Sequence, residues 1–311
     1  MEFKHITVLL NESVDMLNVK PDGVYADGTL GGGGHSALIC SRLNKAGVLI
    51  GIDRDADAHK AAQERLRDFE CRKEAVKDNF FNIKEILKNK EIESLDGAIL
   101  DLGVSSFQLD AAERGFSYHS EARLDMRMDQ TAELDAYKVI NRYEEDRLAD
   151  IIFNYGEERY ARRIAKEICR ARAKKPIETT LELSEIIKSA FPIDKRYADK
   201  HPAKRTFQAI RIEVNGELDG LDNAIKDFVD CLKSGGRLAV ISFHSLEDRI
   251  VKNAFAELAK GCTCPKSFPI CVCNNKPKVK IVNRKPITAG NAELEENFRA
   301  HSAKLRVIEK L

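Results

Sequence analysis

Apolar runs and helical stripes alternate along the first third of the chain. Val24, Tyr25 and Ala26 form a short apolar run ending in Asp27, and residues 48–52 form a second, ending in Asp53. Between them stand Gly28, Gly31, Gly32, Gly33 and Gly34, then a helix-like segment. Strand, glycine turn, helix, strand and terminal acid is the layout of a βαβ unit that holds a nucleoside or dinucleotide. Residues 56–69 have helical periodicity with charges outward, 73–76 read as a third strand and 80–89 as a short helix. Residues 95–102 are a buried strand, with Asp101 near its end. This rhythm predicts an α/β fold with a parallel sheet.

The alternation stops near residue 110. From 111 to about 205 the pattern is helical, with one long amphipathic segment at 149–173 and another at 180–190. It resumes with helices at 207–218 and 221–232, a turn and strand at 236–243, and further strands at 278–283 and 304–309. Residues 7–10 read as a short strand or a lid. The predicted organisation is an α/β domain, 1–110 with 206–311, interrupted by an all-helical insertion at 111–205.

Composition changes this picture little. The chain has 311 residues, 43% of them hydrophobic and 32% charged, as in a globular protein. No apolar run nears the roughly 18 residues that would span a membrane, so a cytoplasmic location is expected. Charge distribution says more. Residues 1–110 carry 14 basic and 19 acidic side chains, whereas 151–215 carry 15 basic and 9 acidic. Residues 159–175 hold eight basic side chains against one acid, Glu167, and a second basic group follows at Lys195, Arg196, Lys200, Lys204 and Arg205. A basic middle suits phosphate contact, though helices are also made basic for solubility alone.

The glycine turn by itself leaves the ligand open. Gly32 to Ala37 fit the dinucleotide pattern, with Asp53 at about the right distance downstream. Asp27, ahead of the glycines, favours S-adenosylmethionine, because an acid there meets an amino group and repels a pyrophosphate. His35, at a helix start, is disfavoured as a cation by the dipole and is expected neutral, facing the ligand or simply packing. Asp101 stands at the sheet edge used for ligands, where it accepts hydrogen bonds from an amine or merely makes a turn before Gly103. His244 and Phe243 follow a strand at the same edge and either line a base pocket or support it. Cys262, Cys264, Cys271 and Cys273 form C-x-C-x6-C-x-C. Their thiolates could hold zinc, but C-x2-C is the more specific spacing. No metal is therefore assigned. Cys40, Cys71, Cys169 and Cys231 are scattered and read as reduced core residues.

Longer motifs carry a resemblance. D-G-T-L-G-G-G-G-H, I-D-R-D, L-D-L-G-V-S-S-F-Q-L-D, E-R-G-F-S, L-D-M-R-M-D, Y-G-E-E-R-Y-A-R-R-I-A, H-P-A-K-R-T-F-Q-A-I-R-I-E-V-N and S-F-H-S-L-E-D-R-I-V-K resemble the bacterial 16S ribosomal RNA cytosine-N4 methyltransferase family from His5 to Glu309. The resemblance implies a class I methyltransferase (Rossmann-like) fold with a helical, RNA-recognising insertion. It implies S-adenosylmethionine as donor and a decoding-region cytosine of the small ribosomal subunit as acceptor. By motif, the cofactor residues would be Gly33, Gly34, His35, Asp53, Phe80, Asp101 and Gln108, with Asp101 also the catalytic residue. A homodimer is compatible with this reading. Phe107 and His301 depart from the Pro and Arg that the family often carries there. D-L-G-V stands where related amino-methylating enzymes have a Pro-Pro motif. The rival readings are a methyltransferase for DNA or a protein amine, a nicotinamide oxidoreductase, and an RNA-binding assembly module without catalysis.

Overall fold

The computed structural model describes residues 7–196, 201–262, 264, 270, 272–273 and 275–311, apart from the side chains of Ser106 and Phe107. Lys200 and Cys271 lie outside the described residues. The chain divides into two compact units, Met1–Gly103 with Gly220–Leu311, and Val104–Asp219.

In the first unit, helix α1 (Leu10–Leu17) precedes β1 (Val24–Asp27), α2 (Gly34–Arg42), β2 (Val48–Asp53) and α3 (Ala56–Leu66). Then come β3 (Arg72–Lys77), a 3-10 turn at Phe80–Asn82, α4 (Ile83–Asn89) and β4 (Leu95–Asp101). Residues 7–10 do not form a strand; Thr7 packs against the Gly34 position and Val8 O meets His35. Leu9 takes a left-handed φ of 49° and turns the chain into α1, whose Val14 and Leu17 are buried one helical turn apart.

The second unit is helical: α5 (Ser106–Asp110), α6 (Ala136–Arg142), α7 (Glu145–Gly156), α8 (Ala161–Arg172), α9 (Thr180–Ala190) and α10 (Ala203–Asn215). The expected single segment at 149–173 is two helices, because Glu157 turns left-handed (φ 49°) after α7. The unit runs to Asp219 rather than 205 because α10 packs into its core through Phe207, Ile210 and Val214.

The chain re-enters the first unit with α11 (Leu221–Cys231), β5 (Leu232–Ser242), α12 (Ser245–Leu258), β6 (Val279–Ile281), α13 (Asn291–Glu296) and β7 (Lys304–Lys310). The sheet order is β3-β2-β1-β4-β5-β7-β6. Strands β1 to β5 are parallel, and β7 runs antiparallel to both β5 and β6. Central β4 is buried at six of seven positions, as a parallel strand covered on both faces must be. Edge strand β3 instead reads R-K-E-A-V-K and exposes charges, which discourages further strand pairing.

Candidate active site at the carboxyl edge of the sheet

Strand order reverses between β1 and β4, and ligands of open α/β sheets bind in the crevice beyond the carboxyl ends at such a point. Asp27 ends β1, Asp53 ends β2 and Asp101 ends β4, so the topology brings three carboxylates from distant sequence to one edge. Gly28 N–H donates to Ile99 O (2.9 Å), and Asp101 N–H donates to Thr29 Oγ1 (2.6 Å), which locks the turn after β1 to β4.

The glycine turn is built by close approach. Gly33 holds φ +73° as the residue before α2, and a Cβ there would lie 3.2 Å from Ala62. A Cβ on Gly34 would overlap Thr7, and one on Gly28 would run into Leu100 and press on Phe80. Gly31 N–H donates to Asp53 Oδ2 (2.8 Å) and Asp55 N–H to Oδ1 (2.9 Å), so Asp53 braces the turn that the glycines make. A carboxylate has about four acceptor sites, which leaves two of Asp53's for a hydroxyl pair. Burial raises the Asp53 pKa, against the two N–H groups that stabilise its charge.

Asp27 is 1% exposed. Its Oδ2 accepts from Ser36 Oγ (2.7 Å) and its Oδ1 from Thr29 N–H (3.1 Å). Burial outweighs those bonds and pushes its pKa up to about 6. Asp101 is raised well above the usual carboxylate range, first by burial and then by the charges of Asp27 and Glu247. Its Oδ1 is buried and accepts no hydrogen bond, whereas its Oδ2 lies 3.8 Å from His35 Nδ1. An orphaned acceptor in a buried acidic cluster is costly, and such perturbed groups mark functional sites.

His35 is buried, with Nε2 3.1 Å from Val8 O. A carbonyl only accepts, so Nε2 carries the proton and Nδ1 faces Asp101. The 3.8 Å separation is beyond hydrogen-bond reach, so the ring packs beside the Asp101 carboxyl. Phe80, half-buried after β3, packs edge-on to Phe81 (4.7 Å) and farther from Phe228 (6.4 Å), with its Cβ beside the Gly28 position. Its register is set by Asn79, whose Oδ1 accepts from Phe81 N–H. Gly33, Gly34, His35, Asp53, Phe80 and Asp101 therefore all belong to the first unit. Gln108 belongs to the second, where its Oε1 accepts from Ser105 N–H (3.0 Å) and its own N–H donates to Ser105 Oγ (3.2 Å). This reciprocal pair caps α5.

Thr29 and Ser36 do work that the motifs did not single out, because their role is visible only once β1 and β4 are adjacent. His244 is the N-cap of α12, its Nδ1 accepting from Glu247 N–H (3.5 Å), while Glu247 Oε2 accepts from Phe243 N–H (2.8 Å). Phe243 packs against the core of its unit.

In the second unit α8 is sharply two-sided. Ala161, Ile164, Ala165 and Ile168 are buried, and Arg162, Arg163 and Lys166 point outward without an ion pair to any described residue. Other basic residues are structural. Arg172 donates to Ile140 O and Tyr143 O, Arg196 to Phe191 O and Ser189 O, and Arg205 to Glu157 O. Among the described residues no helix is long and apolar enough to cross a membrane.

Comparison with known proteins agrees over the whole length. The model of the MraW methylase family matches residues 2–311. A ribosomal RNA small subunit methyltransferase H of Clostridium botulinum (strain Kyoto / Type A2) is 58% identical over 311 residues, covering 100% of both chains. The protein of that name in Brevibacillus brevis is 54% identical over 311 residues, covering 100% of this chain and 99% of its own. The chain belongs to the MraW methylase family.

Proposed function

We propose that the protein methylates N4 of a decoding-region cytosine in 16S ribosomal RNA, within the small ribosomal subunit. It is a methyltransferase, and S-adenosylmethionine is the donor. The observation that carries the site assignment is the buried, unpartnered Oδ1 of Asp101 at the β4 edge. The residues present fit the cofactor. Asp27 offers a carboxylate to an ammonium group, Asp53 has acceptor sites left for a ribose diol, and Phe80 offers an aromatic face to adenine. Gly33 and Gly34 allow the backbone its close turn.

When bound, the cofactor supplies a methyl group on a sulfonium, already activated for displacement. The difficulty lies with the acceptor. The cytosine amine shares its lone pair with the ring, so it attacks well only when its N–H bonds are drawn on and the nitrogen becomes more tetrahedral. Asp101 Oδ1, buried and without a hydrogen-bond partner, serves as that acceptor in this reading. No strong acid is required; orientation and a fixed acceptor in a dry site provide the acceleration. Arg162, Arg163 and Lys166 bind phosphates, which positions the RNA without choosing the base. The site of ribosomal RNA methylation implies a cytoplasmic location.

Transfer of labelled methyl to naked 16S RNA, 30S particles and 70S ribosomes tests this reading. Incorporation into one of these RNA-containing substrates is expected. Absence from all three, with cofactor binding intact, would contradict it.

A further inference from the structure

The loop between α12 and β6 contains a second candidate site that methyl transfer does not use. Its stem is closed by Asn275 Nδ2, which donates to Gly261 O (2.8 Å) and Lys260 O (3.1 Å), and by Lys278 N–H on Leu258 O (2.9 Å). Among its described residues the apolar side chains face water, Ile270 being 74% exposed and Val272 66%. What converges there is sulfur. One sulfur atom from each of Cys262, Cys264 and Cys273 lies within 4.8 Å of the others, and Cys262 Sγ and Cys273 Sγ are 3.7 Å apart. The other described cysteines, Cys40, Cys71, Cys169 and Cys231, take no part in this cluster.

The spacing discriminates between two chemistries. A disulfide needs sulfurs about 2.05 Å apart. A tetrahedral thiolate site with metal–sulfur bonds of about 2.3 Å has sulfur–sulfur edges of about 3.8 Å. The observed pair matches the second. Val272 N–H also donates to Cys264 Sγ (3.3 Å), the kind of backbone bond that favours thiolate and fixes a ligand's direction. We propose that Cys262, Cys264 and Cys273 bind a structural Zn²⁺ ion. Soft sulfur ligands in a tetrahedral arrangement select zinc over calcium or magnesium. Cys271 lies outside the described residues, so the assignment rests on these three thiols. The ion would cross-link the loop, as metals do in small elements that bury little surface.

The test is metal analysis of the full chain, purified without chelator under reducing conditions, beside Cys262→Ser, Cys273→Ser and the control Cys231→Ser. About one zinc per chain is expected in wild type and control. Each cluster variant is expected to bind zinc more weakly by over ~100-fold, beyond the 10–100-fold of a lost outer partner. Cobalt added to metal-stripped wild-type protein is expected to give the visible and charge-transfer bands of a tetrahedral thiolate complex. Protein that carries no stoichiometric zinc and gives no such bands overturns the proposal, as does iron in place of zinc. Zinc retained by both cluster variants overturns it too. None of these readouts depends on methyl transfer.

Discussion

The carboxyl edge of the sheet and the outer face of α8 both concentrate charge, but they use opposite physics. At the edge, Asp27 and the Oδ1 of Asp101 are removed from water, so their charges are costly and their titration is displaced upward. On α8, Arg162, Arg163 and Lys166 remain in water, where salt screens them readily. A buried carboxylate acts on one atom of a ligand over hydrogen-bond distance. An exposed cation acts on a diffuse phosphate chain and cannot tell bases apart. The first region is suited to chemistry and the second to holding substrate.

Breaking each region separately sharpens the contrast. Asp101→Asn removes the acceptor charge while keeping the shape. Turnover at saturating cofactor and RNA should fall about 100-fold or more, the scale of a lost transition-state contact. The KM for RNA should change little. Near-normal turnover would remove Asp101 from catalysis and leave it a cofactor or structural role. Wild-type turnover should rise with pH through a carboxylate titration lying well above the usual range, because ionised Asp101 is the stronger acceptor for the amine. A flat profile that persists in single-turnover measurements would contradict this.

Cofactor affinity responds next. Phe80→Ala should weaken S-adenosylmethionine binding by roughly 10- to 100-fold, the worth of one stacked base at ~1–3 kcal/mol. Calorimetric titration reads this directly. Asp27 adds a pH signature. Its pKa in the fold is about 6, so lowering the pH through 6 protonates it and cancels its attraction for an ammonium group. Affinity should drop by up to about tenfold per pH unit below that point. Asp27→Asn should be weak and nearly pH-independent.

On α8, Arg162→Ala, Arg163→Ala and Lys166→Ala combined should weaken RNA binding and leave cofactor binding unchanged. The slope of log affinity against log salt should shrink by about 2 to 3, near 0.7–0.9 for each lost phosphate contact. An unchanged slope would make this face a solubility feature. The smallest effect expected is Gly33→Ala. Forcing a side chain to φ +73° should cost about 1–2 kcal/mol of stability, read as a lower melting temperature.

Much of the first unit was legible because parallel strands buried on both faces appear as apolar runs, and the acids at their ends mark the ligand edge. Val24–Asp27, Val48–Asp53 and Leu95–Asp101 show this directly. Local pattern failed where one residue's backbone decides the path. Leu9 and Glu157 turn left-handed without glycine, so the start of α1 and the break between α7 and α8 gave no signal. Contacts between distant residues were equally hidden. Ser36 on Asp27, Thr29 on Asp101 and Val8 on His35 exist only once the sheet is assembled. The basic segment was visible, but not which cations are spent on backbone carbonyls and which face water. The cysteine spacing was ambiguous until three sulfurs were seen together.

The most direct test of the central claim is the chemical identity of the product. Ribosomal RNA treated with the protein and methyl-labelled S-adenosylmethionine is digested to nucleosides and resolved by mass spectrometry. The account predicts label in N4-methylcytidine, and its near-complete loss with Asp101→Asn under matched conditions. Label confined to another nucleoside, or undiminished in that variant, would contradict it.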